Sequence, residues 1–342
     1  MTIGVIGTDF RNSSLQFREL IYFDTDSKKQ FLSDAKHASV IDECVVLSTC
    51  NRVEVYFRSS NLDEAMAWIY RRLAANNQLD ESLLKSGLSF YADDDAIHHL
   101  FRVVSGLESM VLGEDEILGQ VKIAYQLAVD FGQTGAYLNK LFQKSIRLGK
   151  RVREETAVSK GAYSVSSIAV DQIRLDCPEF FGQRILIVGT GTMAVRALKK
   201  LHVLGHNDIT LTNRTRSSAE RFIDQFDVSV ISFELALHSL SDYDIVLMAT
   251  GSKDPLCDQT FFPGTKPIYV VDLGMPRNVD PAVDSLDHVT IIPVDGLLEI
   301  ANRNIDARRQ AYEPIMGIIN EESDDYLRWV RYRQESCVIV SA

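Results

Sequence analysis

Residues 185–194 read ILIVGTGTMA, which joins a strand-like apolar run to a Gly-x-Gly-x-x-Ala pattern and a helix-like segment. Glycines at this point let the backbone turn tightly and approach a pyrophosphate, and the helix that follows offers free N–H groups and the positive end of its dipole. Glycine-rich turns also occur by chance, but a position between a strand and a helix favours a dinucleotide site over a plain turn. The residues predicted to bind the dinucleotide are Gly189, Thr190, Gly191, Thr192, Met193 and Ala194.

The end of the next strand predicts which dinucleotide is bound. NAD sites usually carry Asp or Glu there, which accepts a hydrogen bond from the ribose 2′-hydroxyl. Here the strand DITLT is followed by Asn213, Arg214, Thr215 and Arg216. A neutral residue beside guanidinium groups removes the repulsion that a carboxylate exerts on a 2′-phosphate, and the guanidinium groups add bidentate donors. We therefore predict NADPH as the cofactor, with Asn213, Arg214 and Thr215 in contact with it.

The rest of the chain divides around this motif into segments of different pattern. Short apolar runs continue to residue 296, and helical segments separate several of them, which predicts a parallel sheet covered on both faces. The first ~90 residues instead alternate strand-like runs with a helical run, and residues 95–155 are mostly helical in pattern, which is typical of an α+β domain. We predict an α/β multidomain protein: a catalytic α+β domain with a helical C-terminal part at 1–158, a Rossmann-type NADP-binding domain at 159–296, and a long helical segment at 297–342, interrupted only at Pro314.

Composition narrows the class of protein. The 342 residues are 46% hydrophobic and 24% charged, as in soluble globular proteins. The chain shows neither a signal peptide nor an apolar run long enough to span a membrane, so we expect a cytoplasmic protein. The cysteines are scattered, without a zinc-finger or disulfide pattern, so we expect free thiols and no metal site; they are Cys44, Cys50, Cys177, Cys257 and Cys337.

Charge is unevenly distributed along the chain. The net charge of −11 argues against a protein that coats nucleic acid, but a local basic patch remains compatible with it. The stretch 140–153 is the most basic, and Lys140, Lys144, Arg147 and Arg151 share one face of a helix. From charge alone, a solvated helix face is favoured over a nucleic-acid contact.

Cys50 is the candidate nucleophile. It ends a strand-like run and is flanked by Ser48, Thr49, Asn51 and Arg52. A free cysteine is most often a small core residue, but a core cysteine rarely has so many hydrogen-bonding neighbours. A thiol with a pKa of ~8.5 is only a few per cent thiolate at neutral pH, and we expect the nearby Arg52 to lower that pKa. Cys44, which lies among apolar residues, is the better candidate for the core.

Four further segments have a distinctive sequence: STCNRVEVY (48–56), HLFRVVSGLESMVLGEDEILGQVKIAY (99–125), GKRVREETAVSKGAYSVSSIAV (149–170) and VDLGMPRNVDP (271–281). They resemble segments of glutamyl-tRNA reductases. The resemblance implies that the Cys50 thiolate attacks the ester that joins glutamate to tRNA(Glu), and that NADPH reduces the resulting thioester to glutamate-1-semialdehyde. That reaction begins tetrapyrrole (porphyrin and heme) biosynthesis by the five-carbon route.

The resemblance also implies roles for residues. His99 would act as a general acid–base, Arg52 would bind the side-chain carboxylate of glutamate, and the basic helix would contact the tRNA backbone. The acidic run after Gly113 would hold the α-ammonium group, although its pattern alone also fits an exposed helix start. The residues expected to bind substrate are Thr49, Cys50, Asn51, Arg52, Ser109, Glu114, Asp115, Glu116 and Gln120.

Two features depart from the family pattern. The family usually has His and Ala-Pro near the N-terminus, where this chain has Phe10, Ser13 and Ser14, although it keeps Arg18 and Glu19. The family also usually continues past the Trp329 region into a dimerisation domain, so we expect 297–342 to be a remnant of it and leave a homodimer open. Glutamate-1-semialdehyde aminotransferase is a candidate partner. The alternatives are an NADP-dependent dehydrogenase of a free small molecule, a reductase for another aminoacyl-tRNA, and a non-catalytic binding protein.

Overall fold

The computed structural model describes residues 2–77, 79–109, 113–114, 116–156, 164–177, 179–297 and 305–340. The chain forms two compact units. Unit 1 consists of Met1–Ala162 together with Asn304–Ala342, and unit 2 of Tyr163–Arg303. The C-terminal segment, which we expected to be a region of its own, therefore groups with the N-terminal residues.

Unit 1 contains an antiparallel sheet of order β2-β3-β1-β4. The strands alternate with helices as the sequence predicted, and β2 and β3 form a hairpin in which Ser48 pairs with Val53. This hairpin carries Cys50 in its turn. The strands are β1 (Thr2–Asp9), β2 (Glu43–Ser48), β3 (Arg52–Ser59) and β4 (Ser89–Ala92).

The helices of unit 1 bury one apolar face each. In the helix that begins at Asp93, apolar residues at positions 97, 100, 101 and 104 share a face and are at most 1% exposed. This helix brings His99 onto the sheet. The helices of the N-terminal part are α1 (Leu15–Leu20), α2 (Thr25–His37), α3 (Leu62–Asn77), α4 (Glu81–Gly87), α5 (Asp93–Val104), α6 (Glu116–Asp130) and α7 (Ala136–Glu155).

Unit 2 contains a six-stranded parallel sheet of order β10-β9-β8-β5-β6-β7. The strand order reverses between β5 and β8, and in such sheets nucleotides bind at that point. The predicted Rossmann-type fold is confirmed. The strands are β5 (Ile185–Val188), β6 (Ile209–Thr212), β7 (Ser229–Val230), β8 (Ile245–Met248), β9 (Ile268–Asp272) and β10 (Val289–Pro293); the helices are α8 (Val165–Asp176), α9 (Thr192–Val203), α10 (Arg216–Glu220), α11 (Ile223–Phe226) and α12 (Phe233–His238).

The C-terminal helix, α13 (Ile305–Val340), packs on α5 and α7 within unit 1. We expected Pro314 to interrupt it, but the helix continues through that residue. A proline removes one backbone hydrogen bond, and the adjacent Ile315 and Ile319, both 0% exposed, anchor the following turns in the core. Among the helices that the structure describes, none combines the length and the apolar character needed to cross a membrane.

Helix α13 also covers part of the basic face of α7. The Lys144 ammonium pairs with Glu322 and lies 2.6 Å from an Asp325 carboxylate oxygen. The Arg151 guanidinium pairs with Glu321 at 2.9 Å and with Glu322 at 3.0 Å. The Lys144 side chain is only 8% exposed, so the interpretation as a solvated face is wrong at this residue. The Arg151 side chain stays 32% exposed although it is paired, and a contact of this face with tRNA stays a prediction. Residues 147 and 150 remain exposed.

Candidate active site

The turn that joins β2 to β3 holds Cys50. The Thr49 N–H donates to the Arg52 carbonyl at 2.8 Å. The Thr49 hydroxyl accepts from the N–H groups of Asn51 and Arg52, both at 3.2 Å. A Thr side chain that bonds to the backbone two and three residues on is a common way to fix a turn. Cys50 thus lies at the end of the hairpin, and the residue as a whole is partly exposed.

Three groups from residues 10–28 donate hydrogen bonds to backbone carbonyls of this turn. The carbonyl of Ser48 accepts from the Lys28 ammonium at 3.0 Å. The carbonyl of Cys50 accepts from Arg18 Nε at 3.4 Å, and that of Asn51 from the Phe10 N–H at 2.9 Å. Because the turn is bonded at three of its carbonyls, we infer that the backbone that carries the sulfur is rigid.

The electrostatic surroundings of Cys50 differ from our expectation. Burial, together with the carboxylates of Glu114 and Glu116 and against the opposing charge of Arg18, raises the pKa of the Cys50 thiol to about 12. The expected lowering by Arg52 is wrong, because that guanidinium is 1% exposed and is bonded to Glu54 and to the Glu108 carbonyl. Cys44 is 1% exposed, and burial raises its pKa, so its assignment to the core is confirmed.

The raised pKa predicts the pH dependence of Cys50 alkylation. The reactive species is the thiolate, so the rate constant with iodoacetamide should rise about tenfold per pH unit from pH 6 to pH 10, without a plateau. The measurement is the modified fraction of the Cys50 peptide by mass spectrometry, with a small free thiol as the reference. A plateau reached between pH 6 and pH 8 would mean that the resting thiol is already ionised.

A buried polar cluster lies along one face of β3. Arg52, Glu54 and Tyr56 alternate along the strand and are 1%, 3% and 0% exposed. The Glu54 carboxylate accepts from Arg52 and Tyr56, each at 2.7 Å, and lies 2.9 Å from His99 Nε2. Burial alone would raise the pKa of Glu54, but Arg52 and His99 outweigh it and hold that pKa well below its usual range. An ionised carboxylate only accepts, so Nε2 of His99 carries the proton of this hydrogen bond.

Glu108 bounds His99 on the other side. Its carboxylate accepts from Arg102 Nε at 2.6 Å and from Arg11, and lies 3.7 Å from His99 Nδ1. The His99 ring stacks on Tyr91, with 4.9 Å between the ring centroids. Among the described residues, Nδ1 has no hydrogen-bond partner. Sequence reasoning missed Glu54 and Glu108, although the alternation of polar residues in RVEVY could have indicated the first.

The structure brings some of the expected substrate residues together. Thr49, Asn51 and Arg52 form the turn with Cys50, and Glu114 and Glu116 act electrostatically on its sulfur. The side-chain oxygen of Asn51 is buried and has no hydrogen-bond partner among the described residues, as expected of a ligand contact. Of the remaining expected residues, Ser109 is buried and Gln120 is half-buried, whereas Asp115 lies outside the described residues.

The dinucleotide motif lines a cleft of about 640 Å³ in unit 2. Gly189 has φ +115°, and a Cβ there would overlap the carbonyl oxygen of Ala249, so the chain passes where only glycine fits. Gly191 is the N-cap of α9, so the N–H groups of the first turn of that helix, which have no partner within the helix, lie next to the glycine motif. Of the residues expected to contact the cofactor, those lining the cleft are Gly189, Thr190, Gly191, Asn213 and Arg214.

The other expected cofactor residues lie outside this lining. Ala194 is buried, and the Met193 sulfur accepts a hydrogen bond from the Ser166 hydroxyl at 3.5 Å. Thr192 and Thr215 follow, in the sequence, Gly191 and Arg214, which do line the cleft. Sequence reasoning missed Phe233 and the segment 249–252. That segment follows β8, the neighbour of β5, so the sheet order could have indicated it.

Residues of both units are similar to known proteins. Residues 6–156 match the family model described as "Glutamyl-tRNAGlu reductase, N-terminal domain", and residues 172–300 match that of "Shikimate / quinate 5-dehydrogenase". The chain is 34% identical to a glutamyl-tRNA reductase of Alkaliphilus metalliredigens, over 96% of this chain and 79% of that protein. The chain belongs to the glutamyl-tRNA reductase family.

Other members of the glutamyl-tRNA reductase family match along the same length. The reductase of Syntrophotalea carbinolica is 36% identical over 100% of this chain and 78% of that protein. A solved structure of the reductase from Methanopyrus kandleri is 28% identical, with a TM-score of 0.55, and the match covers 99% of this chain and 82% of that one. The family membership therefore extends over both units.

Proposed function

We propose that this chain reduces glutamyl-tRNA(Glu) to glutamate-1-semialdehyde through a thioester on Cys50. The observation that carries the proposal is the turn at Cys50, a partly exposed residue whose thiol lies in the field of Glu114 and Glu116, in a chain of this family. An ester is hard for a nicotinamide to reduce, whereas a thioester carbonyl is more electrophilic. Covalent catalysis thus divides one difficult reaction into two easier ones.

In the first step, the Cys50 sulfur attacks the ester carbonyl. A carbon–sulfur bond forms, the carbon–oxygen bond to the tRNA breaks, and the thiol proton ends on the departing 3′-hydroxyl. Glu114 and Glu116 would bind the α-ammonium group of the substrate. Since these carboxylates raise the pKa of Cys50, their neutralisation by the substrate would favour the thiolate when it is needed.

In the second step, the thioester carbonyl is reduced. When bound, a reduced nicotinamide supplies hydride to that carbon. One proton is taken up, the carbon–sulfur bond breaks, and the aldehyde leaves Cys50 as a thiol. We assign the proton transfer to Nδ1 of His99, because Glu54 holds Nε2 at 2.9 Å and thereby orients the ring. Arg52 positions Glu54 and remains our proposed contact for the carboxylate of the substrate.

The chain is a nicotinamide-dinucleotide-dependent enzyme, and we propose NADPH rather than NADH. The cleft fits a dinucleotide, since its glycine cradle leaves room that a Cβ at Gly189 would fill. Arg214 lines the cleft and is exposed, next to a neutral Asn213. A guanidinium is suited to a 2′-phosphate. An aminotransferase partner and a homodimer remain predictions from the resemblance.

Replacing Arg214 by alanine tests the choice of cofactor. A charge-assisted hydrogen bond contributes about 1.5–3 kcal/mol, so we expect the KM for NADPH to rise about 10- to 100-fold while that for NADH changes less than threefold. Arg216→Ala is the matched control, because the Arg216 Nε pairs with Glu220 at 2.7 Å on α10. An equal rise in KM for NADPH and NADH, or an unchanged preference for NADPH over NADH in Arg214→Ala, would contradict this role.

The activity itself is tested with purified protein, NADPH and glutamyl-tRNA(Glu). We expect NADPH oxidation to match the release of an aldehyde and of uncharged tRNA. Free glutamate and tRNA charged with another amino acid serve as the comparison substrates. Oxidation that requires no tRNA would favour a dehydrogenase of a free small molecule, and equal rates with another charged tRNA would overturn the glutamate specificity.

A further inference from the structure

We propose that Arg18 is a positioning residue for Cys50, which fixes the backbone of the nucleophile and supplies the positive charge that favours its thiolate. This role deepens the proposed function and rests on it. Arg18 lies far from Cys50 in sequence, on the short helix α1. Neither composition nor motif spacing indicated a connection between the two residues.

The geometry ties the guanidinium to the turn. Arg18 is 0% exposed. Its Nη1 donates to the Ser13 carbonyl at 2.7 Å, and its Nε donates to the carbonyl of Cys50 itself at 3.4 Å. A group bonded to the carbonyl of a residue lies within a few ångströms of that residue's side chain. Because a guanidinium stays charged when buried, Arg18 places a fixed positive charge beside the sulfur.

The charges around Cys50 show why such a cation is needed. Burial and the carboxylates of Glu114 and Glu116 raise the pKa of the thiol, and the positive charge of Arg18 opposes them. Tyr22 also lies close enough for its pKa to be raised, first by burial and then by Cys50. Arg52 is the neighbour in sequence, but its guanidinium is bonded to the Glu54 carboxylate on the strand face and to the backbone carbonyl of Glu108.

The departures from the family pattern leave this arrangement in place. Ser13 holds Arg18 through its carbonyl, and Phe10 holds Asn51 through its N–H. Both contacts come from the main chain, so they do not depend on which side chains occupy positions 10 and 13. The retained Arg18 therefore reaches the turn despite the altered N-terminal segment.

The test compares Cys50 alkylation in Arg18→Gln, Arg18→Lys and Lys28→Met. Lys28 is the matched control, because it also bonds to a carbonyl of the turn, that of Ser48 at 3.0 Å. A rise of one to two units in the thiol pKa would lower the thiolate fraction about 10- to 100-fold, partly offset by higher intrinsic nucleophilicity. At pH 9 we expect the rate constant with iodoacetamide to fall at least fivefold in Arg18→Gln and less than twofold in Arg18→Lys and Lys28→Met.

Circular dichroism and thermal unfolding establish which variants fold. A folded Arg18→Gln that reacts at the wild-type rate overturns the proposal, as does a folded Lys28→Met with the same loss as Arg18→Gln. If Arg18→Gln does not fold, the rate constant of Cys50 alkylation in Arg18→Lys decides the question. A rate constant within twofold of the wild-type value supports the role of the charge, and a fivefold lower rate constant overturns it. The assay contains no tRNA or NADPH, so its outcome is independent of whether the proposed reaction occurs.

Discussion

Replacing Cys50 by serine should abolish the reduction of glutamyl-tRNA, with kcat at least about 1,000-fold below the wild-type value. A serine hydroxyl is a far weaker nucleophile than a thiolate, and any product that it formed would be another ester rather than a thioester. The measurement is NADPH oxidation at saturating glutamyl-tRNA. A dehydrogenase that transfers hydride directly to a free substrate would keep most of its rate in this variant.

Cys44→Ala provides the control for this loss. Cys44 lies on β2, in the strand that leads to the turn, and is 1% exposed. We expect this variant to unfold at a lower temperature, because it creates a small cavity, and to keep its kcat when folded. If Cys50→Ser retained more than a tenth of the wild-type kcat, the covalent route would be contradicted.

Replacing Gly189 by alanine should have the largest effect on cofactor binding. The residue has φ +115°, and the added Cβ would overlap the Ala249 carbonyl oxygen. Backbone strain of this kind costs about 1–3 kcal/mol, and relief of the overlap must move the loop that would face the pyrophosphate. We expect the Kd for NADPH to rise at least tenfold and the Tm to fall by several degrees, measured by calorimetry and thermal unfolding.

Gly182→Ala is the matched control within unit 2. A Cβ at Gly182 meets nothing within 4 Å, and the residue does not line the cleft. Its Kd and Tm should stay close to those of the wild type. Tight NADPH binding in Gly189→Ala would contradict the assignment of this loop to the pyrophosphate.

Local patterns in the sequence were sufficient to predict the α+β and Rossmann-type folds and the strand end that carries Cys50. The apolar runs that become β5 and β8 are short and end at glycine or threonine, which favours buried strands, and the glycines at 189 and 191 followed such a run, so the Rossmann-type sheet and its motif could be recognised together. The polar neighbours of Cys50 likewise indicated a strand end. In each case the signal lies within a few residues of the feature it predicts.

Charge pairing between distant residues could not be predicted in this way. The basic face of α7 gave no sign that Glu322 and Asp325 would bind Lys144, because those residues lie nearly 180 positions away. Arg52 was expected to serve Cys50 since it is close in sequence, yet side chains alternate along a strand, and its own points to Glu54. Which cation reaches the sulfur depends on how α1 packs against the turn.

Acylation of Cys50 in the absence of reductant tests the central claim most directly. Wild-type protein is mixed with glutamyl-tRNA(Glu) without NADPH, and the reaction is quenched in acid and digested. The mass of the peptide that contains Cys50 is then measured by mass spectrometry. We predict that this peptide gains the mass of one glutamyl group, and that the same peptide of Cys50→Ser does not. An unmodified Cys50, in a sample that turns over at the normal rate once NADPH is added, would contradict the account.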